Sequence, residues 1–514
     1  MTCVVVGVGT AGITLNRFPA VNFDEVANAV MADQFPVTGR VHYALMFDVV
    51  DPAFEALTAS GQEGLRGLYT RTLALMGRFF GSGYSGLRLL SLVLWCMTGA
   101  LLSLRVKWAW GTGPSLLMAA IFSLTMDGVL SAHLIRPDVF LGLTMVVMVC
   151  LMTAEGGRTF WKWLGAGILA ASSVGFHPHG LLWIVWSFIA WGCNTKGRRT
   201  SALSGLLTGL AIGVVVFFFT VDVTTYTLGK YSYVGELYRR NALIWIDRLL
   251  PIQLIKSSVS LFTNPDSFYF PKTQAHPFLW RAAGIATFLG YLVSGVYAYV
   301  HGRRIPLVAF SLWSSLFFFF GIGFGHARRE LLYTLPITLS ILPLVAWSLT
   351  DLMAKGKERY RMVLLPILLC CLFVSSFSTV YHQWKIRAVT PALSEVFAKS
   401  EALMGARPQR LLGPCYFWFY GGDAFRDING IVLDYFYSAQ KRVRACVARY
   451  RPDVLIADDE FRRRFQLHFD PATKTPNLVP LPDLIGVPCF YLGSLPANPQ
   501  HSQLDFYRID WEKR

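Results

Sequence analysis

Long apolar segments separated by short polar stretches dominate the chain and predict a bundle of membrane-spanning helices. A helix needs about 20 mostly apolar residues to cross the hydrocarbon core of a bilayer. The pattern predicts about eleven spans. Approximate bounds are 1–16, 87–104, 114–132, 139–154, 162–176, 180–193, 201–220, 279–300, 305–324, 331–350 and 362–381. The short segments 162–176 and 180–193 form either two full spans or one re-entrant pair.

The first segment begins at Met1 and is shorter than most of the others. It has too few basic residues at its start to resemble a signal peptide. Two interpretations stay open for it: a shortened coding sequence, or a helix that begins inside the bilayer.

Basic residues mark one side of the predicted bundle. They concentrate in the loops that follow even-numbered spans, for example at Arg105, Lys107, Arg303 and Arg304. Loops rich in Lys and Arg stay in the cytoplasm. The N-terminus is therefore expected inside and the C-terminus outside.

This topology divides the chain into two predicted domains. Residues 1–381 form a transmembrane module with external loops at about 17–86 and 221–278, and residues 382–514 form an external domain. Within the first loop, residues 23–35 and 61–80 have the apolar spacing of amphipathic helices. Leu393–Met404 has the same spacing, and Val454–Ala457 has the composition of a buried strand. We therefore expect a small external α/β domain.

Composition supports the membrane assignment and indicates which classes of partner are expected. Hydrophobic residues make up 54% of the chain and charged residues 15%, against about 25% charged in soluble proteins. The net charge of +16 is explained by the basic loops, so membrane lipids are expected as partners and nucleic acid is not. The chain contains no Asn-x-Ser/Thr sequon, which favours the bacterial inner (plasma) membrane.

Ionisable residues gather where odd-numbered spans end on the outer side. Asp24 and Glu25 follow the first span, and Arg136 and Asp138 follow the third. Acids in a first helical turn are common for structural reasons, but a carboxylate at the surface can also act as a general base or bind a metal. Arg136 either extends to the interface above a capping Asp138, or binds a phosphate while Asp138 orients it.

Two further outer turns carry similar residues. His177 and His179 flank a proline, and either lie at the interface or contact a phosphate or a metal; without a third ligand they are a weak metal signal. Arg328 and Arg329, followed by Tyr333, either bind lipid headgroups or hold the phosphate of a lipid-linked donor. Ionisable groups at such depth are costly and usually functional, so the sequence predicts an active site facing the exterior.

The order of these motifs resembles the GT-C glycosyltransferases of the dolichyl-phosphate-mannose protein mannosyltransferase and aminoarabinose transferase group. The shared features are an Asp-Glu pair opening the first external loop, Arg-x-Asp before the fourth span, Pro-x-Gly after the fifth, and a basic stretch followed by Tyr-x-x-Pro. Here these are Asp24-Glu25, Arg136-Pro137-Asp138, Pro178-His179-Gly180, and Arg328-Arg329 with Tyr333 to Pro336. The resemblance covers about residues 1–380. The lysine that this family usually has near the fifth span is absent here, and His177 or His179 takes its place.

The resemblance implies transfer of a sugar from a polyprenyl-phosphate donor to a glycan, lipid or protein acceptor on the non-cytoplasmic face, with inversion. Asp24 is then the catalytic base, and Glu25 supports it or binds the acceptor. Arg136, His179, Arg328 and Arg329 hold the phosphate, with Asp138, His177 and Tyr333 beside them. The sequence indicates no cofactor with certainty, and a divalent metal stays an open alternative.

Three other functions compete with this one. An oligosaccharide ligase or polymerase would also use external arginines, but this function does not explain the early Asp-Glu pair. A lipid or polysaccharide transporter would place its charges near the bilayer midplane in broken helices, whereas the charges noted above lie at span ends. A catalytically inactive scaffold of the same shape is the third.

Overall fold

The structure is a computed structural model of the whole chain. It describes the following residues: 11–17, 23–39, 41, 62–81, 83–154, 158–194, 199–231, 260, 262, 277–325, 334–355, 358–405, 408–427, 439–469, 476–478, 480–498 and 501–512. The predicted first span therefore lies mostly outside the described residues, as does most of the second external loop.

Helices make up most of the described chain. The longer ones are α1 (Phe23–Thr38), α2 (Gly67–Phe80), α3 (Tyr84–Trp110), α4 (Thr112–Ser123), α5 (Met126–His133), α6 (Asp138–Thr153), α7 (Thr159–Ser172), α8 (Leu181–Asn194), α9 (Arg199–Thr220), α10 (Val223–Tyr231), α11 (Pro277–Tyr297), α12 (Pro306–Gly325), α13 (Leu335–Lys355), α14 (Glu358–Val389), α15 (Leu393–Met404) and α16 (Ala439–Tyr450). Short helices at Gln62–Leu65, Trp418–Gly421, Asp459–Phe461 and Leu481–Ile485 complete the set. The predicted helices at 23–35 and 61–80 are confirmed in α1, in α2 and in the short turn before α2.

The protein is a multi-pass helical membrane protein. By length and composition, five of the described helices can cross a membrane, and α4 with α5 makes a sixth if the bent pair is one span. The bend between these two helices is 62°. Several other predicted spans correspond to shorter helices: α7 and α8 have 14 residues each, or about 21 Å at 1.5 Å per residue. They are shorter than the hydrocarbon core because a proline-containing turn at Pro178–Gly180 separates them.

Small residues allow close approach of neighbouring helices. A Cβ atom on Gly205 would lie 2.3 Å from the carbonyl oxygen of Phe160, and one on Gly209 would lie 2.1 Å from that of Leu164. The two glycines are four residues apart, so they share one face of α9. Such spacing is typical of helix contacts inside membranes. It fixes α7, which leads to the histidine turn, against α9.

Two further charged side chains are buried among the helices. Arg88, near the start of α3, is completely buried, and Asp127 in α5 is 4% exposed. Asp127 lies inside the predicted span 114–132, so charged residues are not confined to the ends of the predicted spans. Both residues are tolerated because other parts of the chain supply partners for them: Glu25 for Arg88, and threonine hydroxyls for Asp127.

The C-terminal part is a small α/β unit. Its strands are β1 (Leu411–Gly413), β2 (Phe425–Asp427), β3 (Val454–Ala457), β4 (Leu467–Phe469), β5 (Pro476–Leu478), β6 (Cys489–Leu495) and β7 (Leu504–Ile509). Five form one sheet in the order β2-β1-β3-β7-β6, with β1 parallel to β2 and β3, and β7 antiparallel to β3 and β6. The predicted strand at Val454–Ala457 is its buried centre, and the predicted helix at Leu393–Met404 is confirmed as α15.

Candidate active site

A guanidinium group held between two carboxylates forms the centre of the candidate site. Arg136 Nη1 is ion-paired with Asp24 Oδ2, and Arg136 Nε donates to Asp138 Oδ2 at 3.0 Å. The Arg136 side chain is 7% exposed and that of Asp138 10%, whereas the Asp24 side chain is 47% exposed. Three sequence-predicted residues from α1 and from the turn before α6 therefore meet, and the Asp24 carboxylate is the accessible member.

The chain that leads to this arginine is fixed by hydrogen bonds from two helices. Ile135 N donates to Glu25 Oε1 at 3.1 Å, and Ile135 O accepts from Asn28 Nδ2 at 2.9 Å. Leu134 O accepts from Ser91 Oγ at 2.7 Å. Because α1 and α3 hold both residues, the guanidinium that follows is positioned before any ligand binds.

Glu25 lies in a fully buried ion pair. Arg88 Nη2 donates to Glu25 Oε2 at 2.7 Å and Arg88 Nε donates to Glu25 Oε1 at 3.0 Å, and both side chains are 0% exposed. Arg88 also donates to Leu15 O at 2.9 Å and lies 4.4 Å from the ring centroid of Tyr84. A bidentate pair of this kind is strong and geometrically specific. Among the roles predicted for Glu25, this geometry favours support of the site over contact with an acceptor.

The two histidines lie near the same cluster, since the charges of Asp138 and Arg136 act on His179. His179 N donates to His177 Nδ1 at 3.2 Å, and the ring centroids are 4.2 Å apart. His177 Nε2 lies 3.4 Å from Arg66 Nη2. Burial lowers the pKa of His179 to about 4 against the opposing charge of Asp138. The His179 ring is therefore neutral at pH 7, so that it would contact a phosphate by a hydrogen bond and not by charge.

Sequence reasoning missed two residues of this cluster, Arg66 and Tyr69. Tyr69 is completely buried, and no hydrogen-bond partner for its hydroxyl is found within the described residues. Burial raises the pKa of Tyr69 well above its usual value, and the charges of Arg136 and Arg66 act in the opposite direction. A buried hydroxyl without a partner is costly, so a ligand oxygen is a natural partner. The only sequence signal for them was the amphipathic helix that carries them.

Arg328, Arg329 and Tyr333 lie outside the described residues. The described chain resumes at Thr334, which is buried and donates to Asp127 Oδ2 at 2.9 Å. The contribution of the basic segment to phosphate binding therefore stays a prediction.

A metal site does not emerge from the described side chains, because none of the described residues form a group of three or more His, Cys, Asp or Glu. The nearest carboxylates, Asp24 and Asp138, both contact Arg136. The divalent metal therefore stays an untested alternative.

Comparison with solved structures establishes the fold. The chain is similar to the crystal structure of ArnT from Cupriavidus metallidurans bound to undecaprenyl phosphate, with a TM-score of 0.57 and 12% identity over 98% of this chain and 97% of that one. The apo structure of the same protein matches with a TM-score of 0.54 and 11% identity over the same shares. The oligosaccharyltransferase of Archaeoglobus fulgidus in complex with Zn and sulfate matches with a TM-score of 0.52 and 10% identity, over 90% of this chain and 68% of that one.

This chain has the GT-C fold. The match to ArnT extends over the C-terminal α/β part as well as the helices, so the resemblance predicted from four short motifs is confirmed for the fold. No family model matches the chain, and no curated protein matches it in sequence. The similarity is one of structure, since about a tenth of the residues are identical.

Proposed function

We propose that this protein is an integral membrane glycosyltransferase that moves a sugar from a polyprenyl-phosphate donor to an acceptor on the non-cytoplasmic face, in a bacterial inner membrane. The observation that carries the proposal is the half-exposed Asp24 carboxylate held against Arg136. It lies in a fold shared with a protein whose crystal structure contains undecaprenyl phosphate.

The reaction is a single displacement with inversion. Asp24 takes the proton of the acceptor hydroxyl as its oxygen forms a bond to the anomeric carbon. The bond from that carbon to the phosphate oxygen breaks, and its electron pair leaves with the polyprenyl phosphate. Arg136 and Arg66, with Arg328 and Arg329 as predicted partners, stabilise the charge of the leaving phosphate, which is often the largest catalytic contribution.

The ion pair between Asp24 and Arg136 gives the donor a second role. A carboxylate paired with a guanidinium is a weaker base than a free one. A donor phosphate competes with Asp24 for the same guanidinium, because phosphate also forms strong charge-assisted hydrogen bonds with arginine. Donor binding then releases the base at the moment when it is needed.

An apolar cavity among the later helices fits the lipid part of the donor. Its volume is about 320 Å³, and its lining includes Phe288, Leu292, Phe319, Ile337, Ile341 and Leu344. Along α13, the cavity extends from Ile337 to Leu344, or about 10 Å of helix. A polyprenyl tail is apolar and would lie there without exposing hydrocarbon to water.

The decisive experiment uses the full-length protein in membranes or nanodiscs with radiolabelled polyprenyl-phosphate sugars, and measures which label moves and to what acceptor. With the active donor, Asp24→Asn is expected to lower the transfer rate at least about 100-fold, since general base catalysis contributes about 10²- to 10⁴-fold. The protein should express and fold normally.

Asp33→Asn is the matched control, because Asp33 is an exposed carboxylate in the same helix. This variant should transfer sugar at the wild-type rate. Unchanged transfer by Asp24→Asn would remove the proposed base, and transfer of no polyprenyl-linked sugar by the wild type would remove the proposed function.

A transporter of lipid or polysaccharide is the second candidate, since the break between α4 and α5 and the buried Asp127 are features that transporters share. Reconstitution in vesicles separates the two functions. Movement of a fluorescent polyprenyl-phosphate lipid across the bilayer, without cleavage of its sugar, would favour transport.

A further inference from the structure

A small cavity at the break of a membrane helix contains a buried carboxylate. The predicted span at 114–132 forms two helices, α4 and α5, which meet at Leu124 and Thr125. Asp127 lies in the first turn after the break and is 4% exposed. The cavity beside it has a volume of about 30 Å³, which is room for about two water-sized spheres.

Hydroxyl groups supply most of the polar lining of this cavity. They come from the break itself, from α11, from α13 and the residue before it, and from α14: Thr125, Thr287, Thr334, Thr338, Ser375, Ser378 and Thr379. Thr287 Oγ1 donates to Ser375 Oγ at 2.9 Å, which links α11 to α14. Carboxylate and hydroxyl oxygens are the ligands that hard cations prefer.

Burial disfavours the ionised form of Asp127, and the hydrogen bonds around its carboxylate act in the opposite direction. Gly128 N donates to Oδ1 at 2.9 Å, and Thr338 Oγ1 donates to Oδ2 at 2.6 Å. Thr338 in turn accepts from Tyr291 Oη at 3.2 Å, so the threonine proton is directed at the carboxylate. Thr334 donates to the same carboxylate oxygen. Donors that converge on a carboxyl group favour its charged state.

These hydrogen bonds do not by themselves offset the effect of burial, so Asp127 is ionised only with a positive charge nearby. Within the described part of the chain, no Arg, Lys or His is ion-paired with Asp127. Burying an unpaired charge away from water is strongly unfavourable. The hydroxyls that donate to Asp127 keep lone pairs, and the adjacent cavity has space for one ion and one water.

We propose that this cavity binds one monovalent metal cation, Na⁺ or K⁺, between the Asp127 carboxylate and the threonine hydroxyls. One carboxylate balances one positive charge, and the bound ion ties the broken span to α11, α13 and α14. The proposal goes beyond sugar transfer and does not depend on it.

The test uses the purified full-length protein in detergent, transferred into sodium chloride, potassium chloride or choline chloride at equal ionic strength. Thermal unfolding is followed by tryptophan fluorescence. One of the two metal salts is expected to raise the midpoint by at least about 2 °C over choline chloride, with a saturating dose dependence. Binding of radioactive sodium, or of radioactive rubidium as a potassium analogue, should reach one ion per chain.

Asp127→Asn keeps the size of the side chain and removes its charge, and it should abolish both the thermal response and the binding. Asp351→Asn is the matched control, because Asp351 lies on α13 and accepts from Tyr297 Oη at 2.9 Å away from the cavity; it should respond as the wild type does. If Asp127→Asn does not fold, Thr338→Val takes its place and should raise the half-saturating concentration about tenfold, or 1.4 kcal/mol.

Two outcomes overturn the proposal. Equal midpoints of the wild type in all three salts would mean that a proton or a guanidinium group balances Asp127. An unchanged metal response in Asp127→Asn, or in Thr338→Val where that variant is used, would place the ion elsewhere.

Discussion

Asp24 and Glu25 are neighbours in the sequence, yet each faces its own arginine in a different environment. The pair of Glu25 with Arg88 is bidentate and 0% exposed on both sides. In the pair of Asp24 with Arg136, the carboxylate is 47% exposed and the guanidinium also contacts Asp138. The first pair has the properties of a structural support, and the second can exchange its partner for a ligand. Burial separates two acidic residues that look equivalent in the sequence.

The largest effect on stability is expected at the buried pair. Glu25→Gln removes the carboxylate that balances the buried Arg88 charge, which should lower the free energy of unfolding by about 3–5 kcal/mol. Asp24→Asn acts on a half-exposed carboxylate and should cost less than about 1 kcal/mol. Thermal or denaturant unfolding of the two purified variants measures the difference.

Glu25→Gln combined with Arg88→Gln controls for the buried charge. The double variant should recover part of the loss, because it removes the uncompensated guanidinium. Equal stability of the two single variants would contradict the contrast between the pairs.

A smaller effect on stability is expected when the pH is lowered, because His179 lies near the pair of Asp24 and Arg136. The pKa of His179 in the folded protein, about 4, lies below its ordinary value of about 6.5, so the unfolded chain binds the proton first. The contribution of the neutral His179 to stability is complete above about pH 6.5 and is lost as the pH falls toward 4, with a loss of roughly 2 kcal/mol by pH 5. Midpoints measured between pH 7 and pH 5 for the wild type and His179→Gln test this, since the variant should have the weaker pH dependence. Parallel pH profiles would exclude a neutral buried His179.

The smallest effect on stability is expected at Tyr69. Tyr69→Phe removes a buried hydroxyl that has no partner within the described residues, so stability should stay the same or rise by about 0.5 kcal/mol. If the hydroxyl contacts the donor, sugar transfer should fall several-fold while folding is unaffected. Parallel melting and transfer assays distinguish the two properties. A loss of stability would mean that the hydroxyl has a partner in the folded protein.

Local patterns predicted much of this fold from sequence. Helical spacing located α1, α2 and α15, and a short apolar run located the central strand Val454–Ala457. These elements were predictable because their apolar faces are encoded within a few neighbouring residues. The number of full spans was less predictable, since a bend and a proline turn divide apolar segments that otherwise look continuous.

The site was predictable in its members but not in its contacts. Asp24, Arg136 and Asp138 were identified from their positions at the ends of predicted spans, whereas the pairing of Glu25 with Arg88 joins residues 63 positions apart. Arg88 and Asp127 did leave a signal, because a charged residue inside an apolar run is costly and needs a partner. Which partner it finds depends on tertiary packing, and a single sequence does not encode that in a short motif.

The N-terminal segment 11–17 connects the helical part of the molecule with the start of the C-terminal α/β unit. Leu15 O accepts from Arg88, while Arg17 donates to Thr390 O at 2.7 Å and contacts Glu395 at the start of α15. The C-terminal α/β unit is consequently tied to the helical part by these contacts. A chimera that exchanges this unit for that of another protein would have to carry a compatible surface for Arg17, or it would loosen segment 11–17, whose Leu15 carbonyl holds Arg88 and so Glu25 beside the proposed catalytic carboxylate of Asp24.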